Sequence, residues 1–382
     1  MRKTDIPGQS NLKDVVGNMI DNNRLPHALL LHAQEGGSSL AIALWIAQNL
    51  MCSDRSNGDA CGLCANCTKH LAATHPDVHF VIPVNTNKQV KKRSDAVSDS
   101  YLESWRKRME EGPWLSLLDW YRAIDIEKKQ GNIGIDESKS LREKLALRSF
   151  EGGYRVFIIW HADRMNTEFG NKMLKSFEEP NEKTVFILTS EQPQQLLSTI
   201  LSRTQIIEEE PTTSDQIAQF LETRFGLDPT ISKNLAFRSE GNIVHAIKEA
   251  QHEDEPWLDE FKDWMRHAWK RDIPMLYTWS EKMAQKSRDA ERQFISGALM
   301  VLDRCFRMGW VESGIPMESD EAKFYNDFSP YINAANVEGF MKVLEETSTH
   351  IERNVNAKMV WFDSGIQVVR LLHQGKKALE SA

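Results

Sequence analysis

Four apolar runs constrain the fold of this chain: ALLLHA at 28–33, VHFVIPV at 78–84, YRVFIIWHA at 154–162 and TVFILTS at 184–190. Between them lie stretches with helical spacing, around 40–50, 137–148 and 167–179. Continuous apolar runs, rather than alternating ones, suit strands buried on both faces, and strands joined through helices run parallel. The region up to about residue 208 is therefore expected to be an α/β core whose parallel sheet is covered by helices on both sides. An insertion at 85–130, polar at first and then rich in Trp, Leu and Tyr, fits no step of the alternation and is expected to be helical after Asp99. Its PWLSLLDWYRAI stretch should dock on the core, with a partner-binding patch as the rival reading.

The turn after the first run, AQEGGSSL at 33–40, has the outline of a phosphate-binding loop without its chemistry. In G-x-x-x-x-G-K-[ST] the lysine reaches the phosphates and the hydroxyl holds Mg²⁺. Here Ser39 stands in the lysine position and Leu40 in that of the hydroxyl residue. A nucleotide-hydrolysing core also needs acidic side chains at the end of a later strand. After Ile159 come Trp160 and His161, and Asp163 arrives two residues late, placed to cap or pair at the following helix. His161 would be a general base only beside a nucleophile, and none is in view. Two separate elements of one ATPase site are altered, so no ATP binding is expected.

Cys52, Cys61, Cys64 and Cys67 form C-x8-C-x2-C-x2-C and leave Cys305 alone. The x2 spacing lets sulfurs of one tight turn reach one ion, and four sulfur ligands leave no open position for water or substrate. The expectation is a structural Zn²⁺ in a module spanning 52–67. Lys69 and His70 beside it read as solvating residues.

Composition limits the rest. Lys and Arg number 47 against 55 Asp and Glu, a net charge of −8, so strong autonomous DNA binding is not expected. The run Lys88, Lys91, Lys92, Arg93 reads as solvated surface, with phosphate contact as the alternative. No stretch reaches the roughly 18 apolar residues of a membrane span. MRKTDIPGQSNLKD lacks the apolar centre of a signal peptide, so a cytoplasmic location without membrane contact is expected. Beyond EEEP at 208–211 helical patterning takes over, with boundaries near 209 and 253. Trp257, Trp264, Trp269 and Trp279 in the final stretch read as packing residues.

NKMLKSFEEPNEKTVFILTSEQPQQLLSTILSRTQ at 171–205 resembles the clamp-loader segment N-x-LLK-x-LEEPP…TI-x-SRC, and RLPHALLLHAQEGG, the cysteine spacing and YRVFIIWHADRMN extend the likeness over most of 8–207. The combination is similar to delta-prime-type members of the bacterial DNA polymerase III clamp-loader family, AAA+ proteins without a working ATP site. The resemblance implies a P-loop NTPase-like AAA+ core with its zinc module at 1–208, a helical lid at 209–252 and an all-α collar at 253–382. It implies gamma/tau and delta partners in a hetero-pentameric ring, with the sliding clamp and primer-template DNA met through that complex. It also gives Arg203 a role in trans, presented to ATP in the adjacent subunit. Ser202 matches the motif, and Thr204 replaces its usual Cys. Where ATP-binding members carry an arginine that touches the γ-phosphate, this chain has Val244. Two rivals stand beside this reading: an ATP-hydrolysing gamma/tau-like subunit and a stand-alone zinc-stabilised nucleic-acid-binding module.

Overall fold

The four apolar runs become four adjacent strands, and a fifth joins them at the edge beside β1. The computed structural model describes residues 1–56, 58–251, 256–308, 319–353 and 355–381. The chain divides into two units, Met1–His252 and Glu253–Ala382. The first runs α1 (Ser10–Asp21), β1 (Ala28–His32), α2 (Ser39–Met51), α3 (Ala65–Leu71), β2 (Val78–Val81), α4 (Leu102–Glu111), α5 (Leu117–Ala123), α6 (Ile135–Ala146), β3 (Arg155–Ile159), α7 (Thr167–Glu178), β4 (Thr184–Ser190), α8 (Ser198–Leu201), β5 (Gln205–Glu208), α9 (Ser214–Phe225), α10 (Pro229–Ser239) and α11 (Ile243–Ala250).

The sheet has the order β2-β3-β4-β1-β5, and every pairing is parallel. Leu30 lies in register with Leu188 on one side and Ile206 on the other. Successive side chains point to opposite faces of a strand, and the burial follows. Leu29, Leu31, Val156, Ile158, Val185 and Ile187 join one core cluster. Ala28, Leu30, Phe157, Ile159, Phe186 and Leu188 join the cluster on the other face with Phe169, Met173 and Phe177 of α7. A strand that feeds two cores has no polar face, which is why the centres of these runs are continuously apolar. Caps fix the helix starts locally: Asn166 accepts from the Phe169 amide to open α7, and Thr213 with Gln216 forms a reciprocal capping box on α9.

The aromatic half of the 85–130 insertion belongs to the core. Trp105 and Trp120 are fully buried, edge to face at 5.2 Å, and Trp105 meets Trp160 at 5.3 Å. Trp120 Nε1 donates to Pro83 O at 2.8 Å, so its one polar atom is satisfied. His70 does not solvate its helix. It is 4% exposed, and burial drives its pKa down to about 3, so it is neutral; Lys69 instead pairs with Glu151 at 2.5 Å.

The second unit is helical among its described residues: α12 (Pro256–Lys270), α13 (Ile273–Met283), α14 (Arg288–Met308), α15 (Ser319–Phe328), α16 (Val337–Glu352) and α17 (Ala357–Ser381). Trp264 stacks on Trp279 at 5.1 Å and 5°, and Trp361 stands edge-on to both. Trp361 Nε1 donates to Glu291 Oε1 at 2.6 Å. Trp257 is buried too, whereas Trp269 is only partly covered and lies against Tyr331. Among the described residues no helix is long and apolar enough to cross a membrane.

Candidate functional site

The loop from Ala33 to Ser38 joins β1 to α2, where a phosphate-binding loop would present its amides to an anion. A carboxyl group takes that place, supplied by the chain itself. The Ser38 amide donates to Glu209 Oε1 at 2.6 Å. Glu209 is delivered by β5, whose last step is the Glu209 amide donating to His32 O at 2.8 Å. The other carboxyl oxygen, Oε2, is buried without a hydrogen-bond partner. Burial pushes the Glu209 carboxyl up to about 7, and the Ser38 amide offsets this only in part. In the sequence Glu209 had marked only the end of the strand pattern.

The turn between α10 and α11 closes onto the same loop. Gly36 has φ +74°, and a Cβ on it would collide with the Asn242 side chain. The Ile243 amide donates to Gly36 O at 3.0 Å, while Asn242 Oδ1 caps α11 through the His245 amide. Val244 points into the core, 6% exposed, and brings no polar atom to the loop. Ser39 and Leu40 open α2, with Leu40 buried. The space left beside the loop is about 20 Å³, bounded by Gly36, Ser39, Pro113, Leu115, Trp160 and Glu191. That is room for about one water molecule, against the roughly 300 Å³ or more of a small-molecule pocket. Pro113 and Leu115 come from the insertion, which therefore fills this space as well as docking on the core.

At the end of β3, Trp160 is 3% exposed and turns toward Trp105. His161 takes a left-handed backbone conformation at φ +51°, and its amide donates to Thr189 Oγ1. Asp163 does not cap α7, a place taken by Asn166. It accepts from Ser190 Oγ at 3.0 Å, with His161 Nδ1 at 3.8 Å and Arg164 Nε at 3.3 Å. Burial alone would raise the Asp163 pKa, but His161, Arg164 and the Ser190 hydroxyl outweigh it and hold the carboxyl at about 2. Burial likewise opposes a charged His161, but Glu191 and Asp163 overcome it and raise its pKa. The Ser190 hydroxyl bonds the carboxylate rather than the imidazole, so this trio lacks the nucleophile-to-base contact of a hydrolytic triad.

Arg203 sits on the turn between α8 and β5. Its Nε donates to Glu178 Oε1 at 2.7 Å and its Nη2 meets the same oxygen, while Nη1 reaches Thr199 O and Ser202 Oγ at 2.7 and 3.2 Å. Thr204 Oγ1 bonds the carbonyls of Ile200 and Leu201 at 3.2 Å and closes the α8 turn. A small hydroxyl residue thus serves this position structurally.

Cys52, Cys61, Cys64 and Cys67 converge, every sulfur within 4.8 Å of every other, and the cluster could hold a metal ion. Cys52 and Cys61 sulfurs are 3.6 Å apart and those of Cys61 and Cys67 4.0 Å. Four thiolates about 2.3 Å from a central ion would lie about 3.8 Å from one another. These separations also exceed an S–S bond by far. Gly62, at φ +76°, makes the turn between Cys61 and Cys64, and Cys64 caps α3 by accepting from the Cys67 amide. Burial would raise the Cys64 thiol, but hydrogen bonds from Ser53 and Cys67 prevail and bring it to about 6. Asp59 ties the module to the core by accepting from Trp45 Nε1 at 2.8 Å and the Lys3 amide at 2.9 Å.

A family model described as DNA polymerase III, delta subunit, matches residues 8–213, more than half of the chain. The DNA polymerase III subunit delta-prime of Bacillus subtilis (strain 168) is 27% identical over 242 residues, 63% of this chain and 58% of that protein. The corresponding subunit of Yersinia pestis is 30% identical over 177 residues, 46% of this chain and 39% of that one. The chain thus spans less than two thirds of the length of either relative. A solved structure, the DNA polymerase III gamma subunit-related protein of Thermotoga maritima, aligns over 95% of this chain and 99% of its own, with a TM-score of 0.42 and 12% identity.

Proposed function

The chain belongs to the DNA polymerase III delta-subunit family, and on that premise we propose that it is a delta-prime-type clamp-loader subunit that neither binds nor hydrolyses ATP. In this reading it completes a ring with gamma/tau and delta subunits, lends Arg203 to the ATP of a neighbour and helps place the sliding clamp on primed DNA. Residues 209–252 act as a lid fixed in one position, and 253–382 as the collar that holds the ring. The four cysteines hold a structural Zn²⁺, and the protein works in the cytoplasm.

One observation carries the non-ATPase part: the Ser38 amide, where a phosphate would be received, is already bonded to Glu209 beside a cavity of about 20 Å³. Ser39 offers no positive charge and Trp160 no carboxylate, so a triphosphate would meet the Glu209 carboxyl on its amide, no counterion and no room. The trans role fits an arginine on a surface turn, with a guanidinium able to exchange Glu178 for a more highly charged phosphoryl group. Calorimetric titration with Mg·ATP, followed by reconstitution with gamma/tau and delta subunits, tests both halves. The expectation is no heat of nucleotide binding and a stable assembly; micromolar ATP affinity would identify an ATP-hydrolysing member instead.

A further inference from the structure

Lys88, Lys91, Lys92 and Arg93 are all exposed, and among the described residues none of them is engaged by an acidic side chain. Four free cations within six residues are unusual in a chain of net charge −8. Their backbone is nonetheless fixed. Asn87 Oδ1 accepts from the amides of Gln89 and Val90 at 2.9 and 2.7 Å, and Asn87 Nδ2 donates to Ile124 O at 2.9 Å. The Asn87 amide bonds Val90 O, the Asp95 amide bonds Lys92 O, and Val90 packs against the core. Lys129 braces the loop from beneath, donating to Thr86 O at 2.6 Å. The insertion thus holds a row of cations at the surface with the ordering entropy of the loop already met.

We propose that this loop, 87–95, is a contact site for the phosphate backbone of nucleic acid. It presents charge without an apolar anchor, since Val90 is turned inward and its other neighbours are polar. Protein interfaces draw most of their energy from buried aromatic, aliphatic or Arg anchors in pockets. Phosphate contacts need only positioned cations and release of counterions. The site deepens the clamp-loader reading and rests on it, because that reading is what brings DNA to this chain.

The test uses the full chain, alone and assembled with gamma/tau and delta subunits, with labelled duplex and single-stranded oligonucleotides at several salt concentrations. Replacing all four residues (Lys88→Gln, Lys91→Gln, Lys92→Gln, Arg93→Gln) should leave thermal unfolding unchanged. Each lost duplex contact should reduce the log–log salt slope by about 0.9, and the single-strand slope by about 0.7. If all four touch duplex phosphates, the slope falls by about 3.6, and the variant loses roughly 100-fold less of its binding between about 50 and 200 mM salt. An unchanged slope in a folded variant overturns the proposal. So does loss of subunit association with the slope intact, which would make the loop a protein contact, and so does wild-type protein with no DNA affinity in either form. Failure to assemble would instead defeat the clamp-loader reading and leaves the slope measurement on the chain alone to decide this one.

Discussion

Arg203 and Glu178 share one carboxylate oxygen between two guanidinium nitrogens, so the arginine proposed to act on a neighbour is held by its own chain. Their side chains are 30% and 45% exposed, a setting in which an ion pair contributes about 0–1 kcal/mol. Release toward a phosphoryl group is therefore cheap. Arg203→Ala should leave the melting profile and assembly unchanged. ATP turnover at the single neighbouring site should drop by a factor of about 10³ or more. Steady-state hydrolysis by the reconstituted loader with primed DNA measures this, and turnover equal to wild type would remove the trans role.

The cysteine module gives a second expectation. Metal analysis should find one equivalent of zinc, and Cys64→Ser should lose most of it, because a three-thiolate site lacks the closed tetrahedral shell. Asp59 links the module to Trp45 in the core, so loss of the ion should also lower the unfolding temperature and speed proteolysis within 52–67. A chain that keeps its stability after complete chelation would not contain a structural metal.

The legible parts and the hidden ones differ for a physical reason. Strands β1, β3 and β4 feed two cores and are apolar along their central positions, which the sequence displays openly. Strand β5 reads QIIE, is mostly exposed and lies at an edge, so it has no such run. Ser39, Leu40 and Trp160 stood out because a nucleotide motif fixes the spacing at which other residues are needed. Glu209 did not, because its partner Ser38 is 171 residues away and nothing local to EEEP says which of its carboxylates turns inward. His70 is hidden for a related reason: its neighbour Lys69 reaches Glu151 at the surface, but one step around α3 the surface becomes core.

Glu209 should leave a mark on the pH dependence of stability. Its folded pKa of about 7 lies above the ordinary value of 4.5. Below pH 4.5 the group is protonated in both states and imposes no cost. Between there and about pH 7 the unfolded chain releases its proton while the folded chain keeps it, so stability falls as pH rises, by up to about 3 kcal/mol above pH 7. Glu209→Gln retains an acceptor for the Ser38 amide and removes the titration. Glu137, also raised to about 7, contributes in the same direction, so the quantity to measure is the difference between wild type and variant in denaturant unfolding at pH 5 and 8. A difference that does not widen with pH would show that Glu209 is ionised in the folded chain.

Restoring the missing motif residues should not restore the nucleotide site. Trp160 packs in a buried trio with Trp105 and Trp120, and Trp160→Asp both empties that volume and buries a carboxylate, at a cost of about 4 kcal/mol or more. Ser39→Lys is milder, since Ser39 is only partly buried at the helix start. Its ammonium would enter the small cavity that Ser39 lines together with Glu191. Leu115 and Pro113 would still bound a cavity of about 20 Å³, so Mg·ATP should remain unbound by calorimetry even in the lysine variant. Nucleotide binding by Ser39→Lys alone would mean that charge, rather than the filling of the site by the insertion and by Glu209, is what excludes the triphosphate.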